Sequence, residues 1–412
     1  MRLRAAAVAA FLGLISVACS SGPPQLLAKQ TLFTLSLGTL DNQIDLFDRP
    51  NGATPQTFSF QFANGLFLVS DGNARKVMEF SSYGDLLSLY YNPDDNPIPS
   101  LMDSPSGTEG ADQVKNRRAF PYPFRELGQI AVTAHNQLYV EDRIPLERRT
   151  FDSDLVAVLQ SRILRFDPEG HFLDFLGQEG IGGTPFPALD SLTEVAKGEL
   201  VVVARGGKGW EVWWYDSSGT LLTKAFLTYA GLPFPRGDAQ GAPQPQLEAL
   251  IPDWNKRVVF VKIDYYREIE DPTTKTALDV QVSQSRIWRY DLDKKAYVSS
   301  YAIPVLKRQR QPNEVTTPTG DRPFAFLGVD SAEYGFFLSS PEGGKQRFLV
   351  LHPDGTTALE RNIAVDQSAA LFGQYQITPD GMLVGFLSDG NGAQLAWWRS
   401  DKLLGSYATS GL

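Results

Sequence analysis

The stretch SRILRFDPEGHFLDFL, Ser161 to Leu176, reads as a strand, a tight turn and a second strand. Its DPEG segment places Pro where a type I turn begins and Gly where a positive φ is needed, between two aliphatic and aromatic runs. Relatives of this hairpin recur as ARKVMEFSSYGDLLSLY (Ala74 to Tyr90), GWEVWWYDSSGTLLTKAF (Gly209 to Phe226) and SRIWRYDLDKKAYVSSY (Ser285 to Tyr301). QRFLVLHPDGTTALERNI (Gln346 to Ile363) and AQLAWWRSDKLLGSYA (Ala393 to Ala408) complete six copies. A pair of β-sandwiches also uses many short strands, but it predicts no common motif repeated six times.

Each hairpin sits inside a larger unit of four strands, A to D. In the second copy these are GQIAVTA, QLYVED, SRILRFD and HFLDFLG, and the same order fits TFSFQF, LFLVSD, RKVMEF and DLLSLYY before it. SLTEVA, LVVVAR, EVWWYD and TLLTKAF form the third copy. The later copies have B strands RVVFVKID, GFFLSS and MLVGFL, with A strands near LEALIP, AFLGVD and QYQITP. Strands B and C are nearly continuous apolar runs, as expected where sheets stack face to face and bury both sides. Trp213/Trp214, Trp397/Trp398 and Trp288 fall in C strands, where large aromatics fill wedge-shaped gaps. A recurring four-stranded antiparallel unit is the signature of a β-propeller blade, so the chain is expected to be all-β: a six-bladed β-propeller over residues 31–412. TLFTLSL (Thr31 to Leu37) is placed to close the ring on the last blade. Leu403 to Ala408 reads as the D strand of that blade, which would make the N-terminal strand an outer fifth.

A B strand ending in Val-x-Asp (Val69 to Asp71, Val140 to Asp142), then Arg-Ile-x-x-Phe-Asp, then Gly and a hydrophobic strand resembles the NHL family of propeller repeats. The resemblance runs from about Gln56 onward and is clearest in the first three copies; GFFLSS, for example, lacks Val-x-Asp.

At the amino terminus Arg2 and Arg4 precede an apolar run from Ala5 to Val17, too short to span a bilayer, followed by Ala18 and Cys19. This resembles the bacterial lipoprotein signal, in which small residues precede a cysteine that receives diacylglycerol. Ser16 stands where the family usually has Leu, a departure that spirochaete lipoproteins tolerate. The resemblance implies a signal peptide over residues 1–18, lipidation at Cys19 and a mobile tether over 19–30, with the folded domain in the periplasm or on the cell surface. The lipid would then be the chain's sole membrane contact, and the folded disc is expected to be monomeric.

Cys19 is the one cysteine, so no intrachain disulfide and no thiolate zinc site can form. Without the signal, 36 basic side chains face 47 acidic ones, a net charge of −11 that argues against nucleic acid as a ligand. With 42% hydrophobic residues there is ample material for a large core.

Loop parity locates the candidate site. A-to-B and C-to-D turns share one face of a propeller, and these are short. The long connections are Asn92 to Glu126, Arg143 to Gln160, Tyr229 to Gln246, Tyr265 to Gln284 and Pro304 to Pro323, all assigned to the opposite face. Long loops on a rigid scaffold are where binding resides. Their basic residues are Lys115, Arg117, Arg118, Arg143, Arg148, Arg149, Lys307, Arg308 and Arg310, which suit an envelope protein or an anionic ligand. Set against that, Glu141, Glu147, Asp152 and Asp154 stand nearby as ion-pair partners, since charge runs are usually solvated surface.

Asp71, Asp142, Asp264 and Asp389 end B strands on the same face and are expected to accept backbone N–H groups in the turns that follow. The competing reading is an axial divalent metal in a lactonase-like hydrolase or lyase, which needs Glu, Asn and Asp around the axis. No cofactor is expected otherwise. His135, His171 and His352 are the three histidines, and since His171 and His352 sit beside C-to-D turns on the opposite face, no histidine-based triad or metal site is expected. No GxSxG, HExxH, Walker loop or EF-hand spacing occurs. The expectation is therefore a non-enzymatic binding or scaffold module of the cell envelope, with the metal-dependent enzyme as its alternative.

Overall fold

The computed structural model describes residues 24–46, 57–100, 117–235, 243–270, 273–274, 276–306, 322–365 and 372–408. Cys19 and the segment before it lie outside these residues. Six antiparallel four-stranded sheets follow one another along the chain, and each is a blade whose strand A lies innermost. Blade 2, for example, runs Leu127–Val132, Leu138–Arg143, Ser161–Phe166 and Phe172–Gly177. In its C-to-D turn Gly170 has φ +91, and the Gly170 N–H donates to the Asp167 carbonyl at 2.9 Å. A Cβ at Gly170 would stand 2.3 Å from the Phe120 ring, so backbone conformation and packing both require glycine there.

The core is divided into six apolar clusters, each built from two neighbouring blades. Alternation along one strand explains the division. Phe67 and Val69 of blade 1 pack towards blade 6, while Leu68 between them packs towards blade 2. Trp213 joins the cluster between blades 2 and 3, and its neighbour Trp214 joins the one between blades 3 and 4. Trp213, Trp214 and Trp398 are buried, as their C-strand positions imply, whereas Trp288 and Trp397 are half-buried at the edges of their clusters.

The ring closes through Gln30–Ser36, which pairs antiparallel with Gly392–Trp398 as the outer strand of blade 6. Leu403 to Ala408 is accordingly not a D strand: Ser400–Ala408 is a helix. The edge that such a strand would need is already occupied, with Gln30 opposite Trp397. The buried Ser400 hydroxyl donates to the Gly381 carbonyl at 2.6 Å and accepts from the Leu383 N–H at 3.1 Å, turning the chain out of the sheet. Leu403 and Leu404 then pack on the cluster between blades 5 and 6.

Two other expectations are corrected. The tether does not hang free up to residue 30. The Asn362 N–H donates to the Gln25 carbonyl, the Leu27 N–H to the Asn362 carbonyl, and Leu27 is buried against blade 5. Tyr265 to Gln284 is not a loop either, because strands B and C of blade 4 continue as Val258–Glu270 and Ala277–Asp291, with Tyr265 opposite Gln284 and Arg267 opposite Gln281. Its Tyr, Ile and Val residues suit an extended ladder, and no Gly or Pro interrupts it before Pro272.

Candidate functional site

The connection from Asn92 departs from the loop-rich face and returns as Arg118–Pro121, a strand parallel to the outer strand of blade 1 with Ser88 opposite Arg118. Parallel pairing makes it enter from the plain face. Arg118 therefore stands beside the DPEG turn, donating to the Pro168 carbonyl at 3.3 Å. Arg117 precedes it there, so neither belongs to the loop-rich face. Phe120 and Tyr122 are the cause: both pack into the wedge between blades 1 and 2, Tyr122 with its ring 5.2 Å from Phe166.

Arg143 and Arg149 do meet on the loop-rich face, but their shared partner is Glu126 rather than Glu141, Glu147, Asp152 or Asp154. Arg149 Nη2 lies 3.2 Å from Glu126 Oε2. Arg148 is exposed on the adjoining single turn, Leu146–Arg148. Glu141 is buried and accepts from the Ser161 hydroxyl at 2.6 Å and the Gln129 N–H at 2.9 Å; desolvation pushes its carboxyl up. Lys115, Lys307, Arg308 and Arg310 lie outside the described residues.

The aspartates expected at strand ends divide by partner. Asp389 accepts from Asn391 and Gly392 N–H groups in its own turn, as expected. Asp142 instead takes the Arg125 and Glu126 N–H groups of the preceding connection, and the Arg162 guanidinium at 3.3 Å. Asp264 ends no strand, because its ladder runs on to Glu270; lying within it, Asp264 takes the buried Lys262 ammonium at 2.6 Å and the Ser285 hydroxyl. Asp71 accepts from Ala74 in its turn and from Asp45 in the segment that leads from the closing strand, clamping that segment to blade 1.

Burial pushes Asp71 up to about 6, against the opposing pull of those two N–H groups and of Lys76. Because the folded pKa exceeds the ordinary 3.8, the protonated form favours the fold. That contribution is fully present below pH 3.8 and lost as pH rises through about 6. Over this range it amounts to about 3 kcal/mol at most. Glu211, pushed up to about 7 by desolvation, acts in the same direction. The wild-type melting temperature is thus expected to fall between pH 5 and pH 7, and Asp71→Asn to flatten that slope; an equal slope in scanning calorimetry would refute the assignment.

The six inner strands enclose an axial channel of about 470 Å³. Its wall is uneven. Blades 1, 2, 3 and 6 contribute Gln61, Gln129, Ser191, Thr193, Gln374 and Gln376, whereas blades 4 and 5 contribute Ala249, Ile251, Leu327 and Val329. Several of the polar groups tie neighbouring blades together. Gln61 Oε1 accepts from the Val132 N–H at 2.8 Å, and Gln376 Oε1 from the Phe62 N–H at 2.7 Å. On the plain face the Ala196 N–H donates to the Trp254 carbonyl and the Ser331 N–H to the Pro379 carbonyl, linking blades 3 to 4 and 5 to 6.

Among the described residues, the carboxylates that line the channel are Asp190 and Glu194. Asp190, at the loop-rich end, accepts from Arg205 Nε at 2.6 Å, and the Arg205 guanidinium lies 4.1 Å from the centre of the Trp210 ring. Among the described residues no three His, Cys, Asp or Glu side chains come together as a metal-holding group. Nothing in the sequence repeat singled out Glu194 or Trp254. Only the bending of six inner strands around one axis brings them to the channel wall.

No protein-family model matches this chain. No curated protein matches its sequence. Among solved structures, a gluconolactonase from Xanthomonas campestris aligns over 92% of this chain and 98% of its own, at 13% identity and a TM-score of 0.37. An ulvan lyase aligns over 90% of this chain and 83% of its own, at 9% identity and a TM-score of 0.40. Kuenenia stuttgartiensis hydrazine synthase aligns over 85% of this chain and 98% of its own, also at 9% identity and 0.40. Likenesses this distant say nothing of activity.

Proposed function

We propose that the protein is a binding module of the bacterial cell envelope, anchored by a lipid at Cys19, whose loop-rich face docks a partner protein. The observation that carries this reading is a set of exposed apolar side chains on three consecutive blades: Leu146, Phe151 and Val158 on blade 2, Tyr229 and Phe234 after blade 3, and Val280 on blade 4. The supporting segments are bonded into one surface. Lys208 Nζ reaches the Ser153 carbonyl at 3.1 Å, the Tyr229 N–H donates to the Lys208 carbonyl at 2.9 Å, and the Tyr265 hydroxyl to the Pro233 carbonyl at 2.7 Å. Exposed apolar groups gathered on a rigid support mark a protein-interaction surface. A protein fits better than a free anion, because Arg143 and Arg149 are already engaged by Glu126.

Photo-crosslinking amino acids at Phe151 and Phe234 are expected to trap a partner in living cells, while the same group at Tyr83, exposed on the plain face, traps none. Equal adducts at all three positions, or none at any, would sink the reading. For the anchor, labelled palmitate should enter the wild type and not Cys19→Ala.

A further inference from the structure

Glu194 is 8% exposed, yet among the described residues it stands in no ion pair. One carboxylate oxygen accepts the Ala134 N–H at 3.0 Å, and the side chain lines the axial channel towards the plain face. A buried carboxylate without a counter-ion is costly and is a mark of a functional site. Burial pushes the Glu194 carboxyl up, against the pull of the Ala134 N–H and of the neighbouring His135, a candidate cation that is not among the residues lining the channel. Lys197 and Lys256, on the adjoining turns of blades 3 and 4, line a neighbouring hollow that shares Val195 and Trp254 with the channel. No Lys or Arg is among the described residues that line the channel.

What stands around Glu194 is suited to an organic cation. Trp254 lines the same channel and is held next to blade 3 by the bond from Ala196 to its carbonyl, two residues beyond Glu194. An indole face attracts ammonium groups, more so where water is excluded. Beyond it lie the aliphatic side chains of blades 4 and 5, Ile251, Leu327 and Val329, which offer no hydrogen bond to a ligand's remainder. Gln374 Oε1 on blade 6 and Ser191 Oγ, three residues before Glu194 on its own strand, are buried without a protein partner, leaving acceptor capacity for N–H groups. The volume falls within the range of small-molecule sites.

We infer that the axial channel is a binding site for a small amphiphilic amine, with Glu194 as counter-ion to its ammonium group, Trp254 against that group, and the blade 4 and 5 wall taking its apolar part. This is independent of the loop-face reading, since no residue is shared between the two surfaces.

The test uses three probes of one chain length, hexylammonium, hexanol and hexanoate, titrated by calorimetry into the lipid-free folded domain at neutral pH. Hexylammonium is expected to bind at least tenfold more tightly than hexanol, and hexanoate not to bind. In Glu194→Gln, which keeps an acceptor for the Ala134 N–H, hexylammonium should fall to the affinity of hexanol. Trp254→Leu serves if that variant does not fold, and should weaken hexylammonium more than hexanol. Equal affinities for the three probes, no saturable binding of hexylammonium, or undiminished binding by both variants would overturn the inference. So would a rise in melting temperature with Ca²⁺ or Zn²⁺ that hexylammonium does not produce, because a metal would then hold the site.

Discussion

Removal of residues 24–36 is expected to lower the melting temperature by on the order of 10 °C or more and to make the protein self-associate. The segment supplies two buried leucines, Leu27 between blades 5 and 6 and Leu35 between blades 6 and 1. Losing each costs about 2–5 kcal/mol, and each kcal/mol is worth a few degrees in a domain of this size. It also supplies the whole outer ladder of blade 6, from Gln30 opposite Trp397 to Ser36 opposite Gly392. Without it Gly392–Trp398 becomes an unprotected edge, a template for pairing with another chain. Circular dichroism melts and size-exclusion chromatography of the shortened chain check both effects. A melting temperature within about 2 °C of the intact chain would show that the closing strand is dispensable.

Trp213→Ala is expected to cost about 3–5 kcal/mol, the usual range for an indole removed from a packed core. Trp213 is fully buried between blades 2 and 3, with the Phe186 ring edge-on at 5.0 Å and 78°. Its indole N–H has no hydrogen-bond partner, so the ring acts by volume and not by polarity. Trp213→Phe should therefore lose much less than Trp213→Ala. Urea midpoints measure the difference; a loss below about 1 kcal/mol for the alanine variant would mean that the blades close over the gap without the ring.

The expected pH slope distinguishes the two kinds of carboxylate in the chain. Asp216 and Asp354, in the C-to-D turns, are held below the ordinary carboxylate range, first by the hydroxyls of Ser218 and Thr356 and then by backbone N–H groups. Asp71, Glu141 and Glu211 are raised by burial. The first kind is written in local sequence, since an Asp followed by Ser-Ser-Gly-Thr or Gly-Thr has its partners within a turn. The second kind is not, because burial depends on which blade comes to lie beside it. Val-x-Asp marks both Asp71 and Asp142 in sequence, yet one clamps a segment from the N-terminal side and the other the connection into its own blade.

The basic residues of the long connections show the same limit. Counting strands assigns Asn92 to Glu126 to one face by parity, but parity takes the connection to stay where it starts. Phe120 and Tyr122 draw this one down the rim, and Arg117 and Arg118 go with it. Conversely, the apolar residues that make up the exposed surface of blades 2 to 4 lie in segments that sequence reading passed over in favour of their charges.

By itself the sequence determined the repeat, the four strands of the first five units and three of the sixth, the turn chemistry and the burial of Trp213, Trp214 and Trp398. Each of these depends on residues that are neighbours in the chain or in one hairpin, so periodicity and turn residues report them directly. The tertiary structure alone decided how the ring closes, which partner each buried carboxylate finds, and that Glu194, Trp254 and the glutamines of three blades line a common channel. These depend on which blades are brought side by side when the chain wraps around its axis. That is set by long-range packing between wedges, and no local pattern encodes it.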